Sequence, residues 1–234
     1  MTTLIASDTL PGGKHWSMML WRNSRLKLTD IEGSANVGYE EETFYSPDRP
    51  ILGQLIWGDT EFGRKGDGIG RRSFVSWLVA KGMTKIIVVT PLLNHNTLGV
   101  CGHLYSLAFG SVDNTIRFES DMFRMATAVP EIYGLPVLGE RVVLCITDAL
   151  ICQYEGEKIG QLHYSAVLNE LRFSKDPMAL DALSLRDLER QRLAAGETAT
   201  RGRWLTNQVE LFNNAALLEL GVSDLENIHV ERAP

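Results

Sequence analysis

The sequence predicts an α/β fold: a mostly parallel sheet with flanking helices and a small β-rich N-terminal extension. Two observations carry that expectation. The short, β-branched apolar runs Thr84–Val89 (TKIIVV) and Arg141–Thr147 (RVVLCIT) have the composition of strands buried on both faces of a parallel sheet. Between and after them lie stretches with helical spacing, and alternation of the two element types argues for helices packed on a sheet.

The elements follow in order. Pro11-Gly12-Gly13 is a turn signal, and Arg25–Ile31 (RLKLTDI) alternates polar and apolar residues at the strand period. Glu40–Pro50 is acidic and then turn-like. It suggests a junction that divides the chain into an extension over 1–45 and an α/β domain over 46–234. Ile51–Trp57 (ILGQLIW) reads as a short buried element. In Ser73–Lys81, Phe74, Trp77 and Leu78 fall at helical spacing, and Gly82 stands where a helix should stop.

Asp121–Tyr133 and Ala179–Ala194 read as helices. The second has Asp176 as a cap, Pro177 at the first helical position, and Leu180, Leu183, Leu185 and Leu188 for a buried face. Leu171–Ser174 is a shorter third strand, Asn213–Leu220 another helix closed by Gly221, and Ile228–Val230 a closing strand.

Composition bounds the function. With 234 residues, 44% hydrophobic and 22% charged, the chain has the ordinary globular balance. A net charge of -6 and a pI near 5.4 argue against a nucleic-acid partner. A small-molecule or anionic ligand remains open, as does a homo-oligomer. Cys101, Cys145 and Cys152 form no C-x-x-C pair, so they suggest neither a disulfide framework, a zinc ribbon nor an iron–sulfur ligand set. A reduced, cytoplasmic setting fits them. Met1–Pro11 has no basic start followed by a long apolar run, which predicts no signal peptide, and no stretch is apolar for long enough to predict a membrane span.

Ligands of open α/β sheets bind beyond the carboxyl ends of the strands. Three polar clusters follow the three strands: Thr90–His103, Thr147-Asp148-Ala149 with Gln153–Gly156, and Ser174-Lys175-Asp176. Parallel neighbours would bring them to one edge. His95 is the best candidate for proton transfer, because an imidazole titrates near neutrality. The alternative is a loop histidine bonded to the backbone.

Asn94, Asn96 and His103 are candidate ligand-binding neighbours. Asp148 is a candidate catalytic carboxylate and, with His95 and His103, a third donor for a metal whose identity the spacing leaves unknown; its other reading is a turn former. Cys101 is a nucleophile if its thiolate is stabilised, and otherwise a small buried residue. Gly66, Gly68 and Gly70 before Arg71 and Arg72 could cradle an anion, or form a solvated basic loop. Glu40–Glu42 and the charged residues Asp187, Glu189, Arg190 and Arg192 are either partner faces or solvated ones.

From about Gly38 onward the blocks TKIIVVTPLLNHNTLGVCGHLYSLAFGSVDN, PEIYGLPVLGERVVLCITDALICQYEG, LNELRFSKDPMALDALSLRDLERQR and NNAALLELGVSDLENIHV resemble a bacterial family of domains of unknown function, number three hundred and sixty-two. Members are sometimes linked to iron–sulfur modules, but this chain has no cluster-binding cysteine set. It also carries Leu93-Asn94-His95 and Tyr105-Ser106 where many members have lysines. The stretch Leu10–Gly38 is similar to the opening of the urea-carboxylase-associated family. That resemblance implies a metal-dependent hydrolase of urea or guanidine metabolism, although the family's ligand segments are missing here. A non-catalytic interaction protein is the third reading.

Overall fold

The computed structural model describes residues 2–10, 13–21, 39–45, 73–76, 78–112, 115, 118, 122–156, 160–196 and 204–233. The expected strand Arg25–Ile31, the element Ile51–Trp57 and the loop containing Arg71 and Arg72 lie outside the described residues.

The strands are β1 (Thr2–Leu10), β2 (Gly13–Trp21), β3 (Tyr39–Tyr45), β4 (Ser73–Ser76), β5 (Lys85–His95), β6 (Gly99–Val100), β7 (Val142–Gln153) and β8 (Ser165–Ser174). The helices are α1 (His103–Ser111), α2 (Met122–Tyr133), α3 (Pro177–Ala194) and α4 (Trp204–Leu217). The main sheet runs β2-β1-β5-β7-β8, with β6 folded back on β5, and β3 pairs with β4 in a separate ribbon.

The α/β class is what the sequence predicts, but the sheet is mixed rather than mostly parallel. Among the described strands only β5 and β7 run parallel; β1–β2, β1–β5, β5–β6 and β7–β8 are all antiparallel. The apolar runs suggested burial on both faces, yet the two faces of the described strands differ. Ile86, Val88, Thr90, Cys145 and Thr147 are buried on it, while Ile87, Val89 and Ile146 on the other are half-buried and Phe173 is exposed.

Several element boundaries also shift. Ser73–Lys81 is not a helix but strand β4 followed by a π-helical turn, Leu78–Gly82. Arg141 holds that turn by donating from one guanidinium nitrogen to the carbonyls of Val79, Ala80 and Met83. β5 does not stop at Val89 but runs through Pro91 to His95. Proline is tolerated there because the β1 register ends at Val89 and the β7 register slips between Pro91 and Leu93, so no ladder bond needs its missing N–H. The expected strand over Ile228–Val230 is absent, and α4 starts at Trp204, earlier than the expected Asn213.

The start of α3 is as expected. Asp176 accepts from the Ala179 amide, and its other oxygen accepts from the Val222 amide, tying the chain after α4 to the start of α3. Among the described residues no helix is long and apolar enough to cross a membrane.

Helix α2 contains Pro130, which cannot donate to the carbonyl of Ala126 one turn earlier. Asn214 of α4 fills the gap: its Nδ2 donates to that carbonyl at 3.1 Å, with both groups buried. Replacing Asn214 by Ala leaves a buried carbonyl without a donor, which costs about 1–3 kcal/mol. Chemical denaturation should show that loss with an unchanged denaturant slope. A loss of a few tenths of a kcal/mol would mean that the α2–α4 contact does not depend on this bond.

Candidate functional site

Toward the carboxyl ends of β5 and β7, buried polar side chains stand among apolar ones such as Leu92, Ala149 and Cys152. Thr90, Asn94, His95, His103, Thr147, Gln153 and Gln208 are all less than a tenth exposed. They come together because β5 and β7 are parallel, with Thr90 opposite Thr147, and because α1 starts directly after β6.

His103 is the first residue of α1 and is fully buried. Its Nε2 lies 2.9 Å from the Thr147 hydroxyl and 3.3 Å from that of Thr90. Its Nδ1 has no partner. Burial without a counter-charge pushes its pKa down to about 3, so the ring is neutral at physiological pH.

The amides of His103 and Leu104 donate to the two carboxylate oxygens of Asp181, at 2.7 and 3.1 Å. Gly102, at the cap position, supplies no side-chain bond of its own. A Cβ at Gly102 would collide with the Asp181 carboxyl group, so the glycine is what lets α3 approach α1. Burial raises the Asp181 pKa to about 7, against the lowering effect of the two amides. The Tyr133 and Cys145 groups nearby are likewise pushed up by burial, with a contribution from Asp181.

His95 is buried, and its Nδ1 accepts the amides of Thr97 and Leu98, both at 3.1 Å. The ring proton therefore sits on Nε2. The ring meets Tyr105 edge-on, with centroids 4.8 Å apart. This is the backbone-bonded histidine weighed against proton transfer above.

Asn94 donates to Asn96 at 3.0 Å, and its own Oδ1 is buried with no donor. The Cys101 thiol is buried and donates to the Asn94 carbonyl at 3.4 Å. Asp148 lies within β7, not after it, and accepts from the Leu150 amide where the β7–β8 register slips. It shapes a bulge, as its turn-forming reading anticipates.

The expected convergence of three polar clusters fails for one of them. β8 is antiparallel to β7, with Ser174 opposite Cys145, so Ser174–Asp176 lies toward the other end of the sheet. Asp187 and Arg192, expected on a solvated helix face, are buried. Arg172 of β8 pairs with Asp187 at 2.7 Å, and Arg192 pairs with Glu155 at 3.1 Å. Among the described residues, no three His, Cys, Asp or Glu stand together as a metal ligand set.

Two residues of this region escaped the sequence reading. Asp181 is seven residues before Leu188, on the stripe that also carries Pro177 and Ser184, and that spacing marks it as buried. Gln208, in the first half of α4, carries no sequence signal.

The chain matches no family model, no curated protein and no solved structure.

The His103–Asp181 pair makes a pH prediction. His103 titrates near 6.5 when unfolded and near 3 when folded, so on its own it makes stability rise with pH across that window. Asp181 titrates near 3.8 when unfolded and near 7 when folded, so its contribution is present at low pH and falls as pH rises across that window. The two slopes oppose each other and nearly cancel between about pH 4 and 6.5. In Asp181→Asn only the histidine slope survives. Its stability relative to the native protein should climb with pH over that range, by up to about 1.4 kcal/mol per pH unit. Parallel pH profiles for the two proteins would rule out a raised Asp181.

Proposed function

We propose that the protein is a small-molecule-binding domain, with its site at the carboxyl end of β5 around His95 and a neutral polar ligand as occupant. The observation that carries this reading is the Asn94 side chain, fully buried with an Oδ1 that no donor reaches. An unsatisfied buried acceptor costs on the order of 1–3 kcal/mol, and a bound donor removes that cost.

The neighbouring side chains favour a neutral ligand. His95 and His103 both act as uncharged rings, Thr90 and Thr147 bond to His103, and the Asp181 carboxyl group is taken up by backbone amides. The sequence blocks that resemble the three-hundred-and-sixty-two family run through the same residues, Asn94 to His103.

Thermal unfolding in the presence of acetamide, imidazole and glycerol tests the reading. At ten times its Kd, a bound probe stabilises by about 1.4 kcal/mol, which raises Tm by about 3–5 °C in a chain of this length. That rise should vanish in Asn94→Leu. Equal responses of the two proteins to every probe, or no response of either, would contradict a site at Asn94.

A further inference from the structure

We propose that Gln208 reads the ligand, and that the ligand presents a cis-amide edge: an N–H and a C=O side by side, as in a lactam or a primary carboxamide. This rests on the ligand-site reading above and gives it a chemical class.

Gln208 is 2% exposed, and neither its Nε2 nor its Oε1 has a hydrogen-bond partner. A carboxamide offers four hydrogen-bonding positions, and leaving both of its atoms dry is among the costlier arrangements a core can hold. The group is held in place from one side. A Cβ on Gly99 would come within 2.8 Å of Nε2 and 2.9 Å of Oε1, so the carboxamide lies flat against the Gly99 backbone. Gly99 has φ of +80°, which a side chain adopts only under strain, so this close approach depends on glycine twice over.

Gly99 stands opposite His95 in the β5–β6 register, and residues directly opposite share a face of the ribbon. The carboxamide therefore packs on the β6 backbone at the residue paired with His95. Its chemistry selects the partner. A carboxamide edge is one donor beside one acceptor in a plane, and its complement is an acceptor beside a donor at the same spacing. Turning the amide over exchanges the two positions and leaves the class unchanged. A carboxylate would accept from Nε2 but leave Oε1 facing an oxygen, and an ammonium would donate to Oε1 but leave Nε2 facing a donor.

The test uses 15N–1H spectra of the full chain titrated with 2-pyrrolidinone, with N-methyl-2-pyrrolidinone, which lacks the donor, and with ethylene glycol. We expect the lactam to shift the Gln208 side-chain and Gly99 backbone signals saturably. The N-methyl compound should bind weaker by roughly tenfold or more, the worth of one buried hydrogen bond left unmade. Gln208→Met should lose the response to lactam while the β5 and β7 signals stay in place. The comparison of the two lactams on the native protein needs no variant, so it stands even if Gln208→Met does not fold. Equal binding of both lactams, or binding of the glycol without the lactam, overturns the amide edge and leaves the site. If none of the three moves the Gly99 or Asn94 signals, ordered water alone satisfies these groups, and both the edge and the site reading fall.

Discussion

The Asp181 carboxyl group is the contact on which the placement of α1 over the sheet depends. It lies in the first turns of α3 and receives the first two amides of α1, so one helix caps another across the domain. A helix begins with amides that have no partner within it, and its dipole favours negative charge there. In α1 the residue at the cap position is Gly102, which has no side chain to use. The missing function comes from Asp181, 78 residues beyond His103. Burial raises the Asp181 pKa to about 7, because the loss of hydration outweighs the two amides.

With α1 fixed in this way, His103 lies over the parallel strand pair, between Thr90 and Thr147. The same placement sets the exit of β6, and with it Gly99 and the stretch to His95. Buried polar groups specify an arrangement only when they are satisfied. Here most of them are: Nδ1 of His95, Nε2 of His103, the Asn94 amide and the Cys101 thiol all have partners. Asn94 Oδ1, His103 Nδ1 and the Gln208 carboxamide are among the exceptions.

Local chemistry was legible in the sequence, and long-range pairing was not. Asp176 and Pro177 announce the start of α3 because capping is decided within four residues. Thr84–Val89 and Arg141–Thr147 announce strands because a β-branched run leaves little choice of backbone. Their direction is a different matter: an apolar run has the same composition whether its neighbour is parallel or antiparallel, and β8 turned the opposite way from the expectation. That reversal removed Ser174–Asp176 from the site. Pro91 ended the expected strand too early, because the absence of a partner on its N–H side depends on where β1 stops. The bonds of His95 and His103 to Thr97, Leu98, Thr90 and Thr147 are set by backbone geometry that spacing does not encode. Asp181 and Gln208 were missed for the same reason, since each acts on an element distant in sequence.

Amide hydrogen exchange at His103 and Leu104 in Asp181→Asn tests this dependence most directly. Asparagine keeps the size of the side chain but retains only one acceptor oxygen for the two amides. The account predicts that protection falls at one or both of these positions while Val88 and Ile146, in the strands beneath, keep theirs. Unchanged protection at both amides would contradict the claim that Asp181 holds α1 on the sheet.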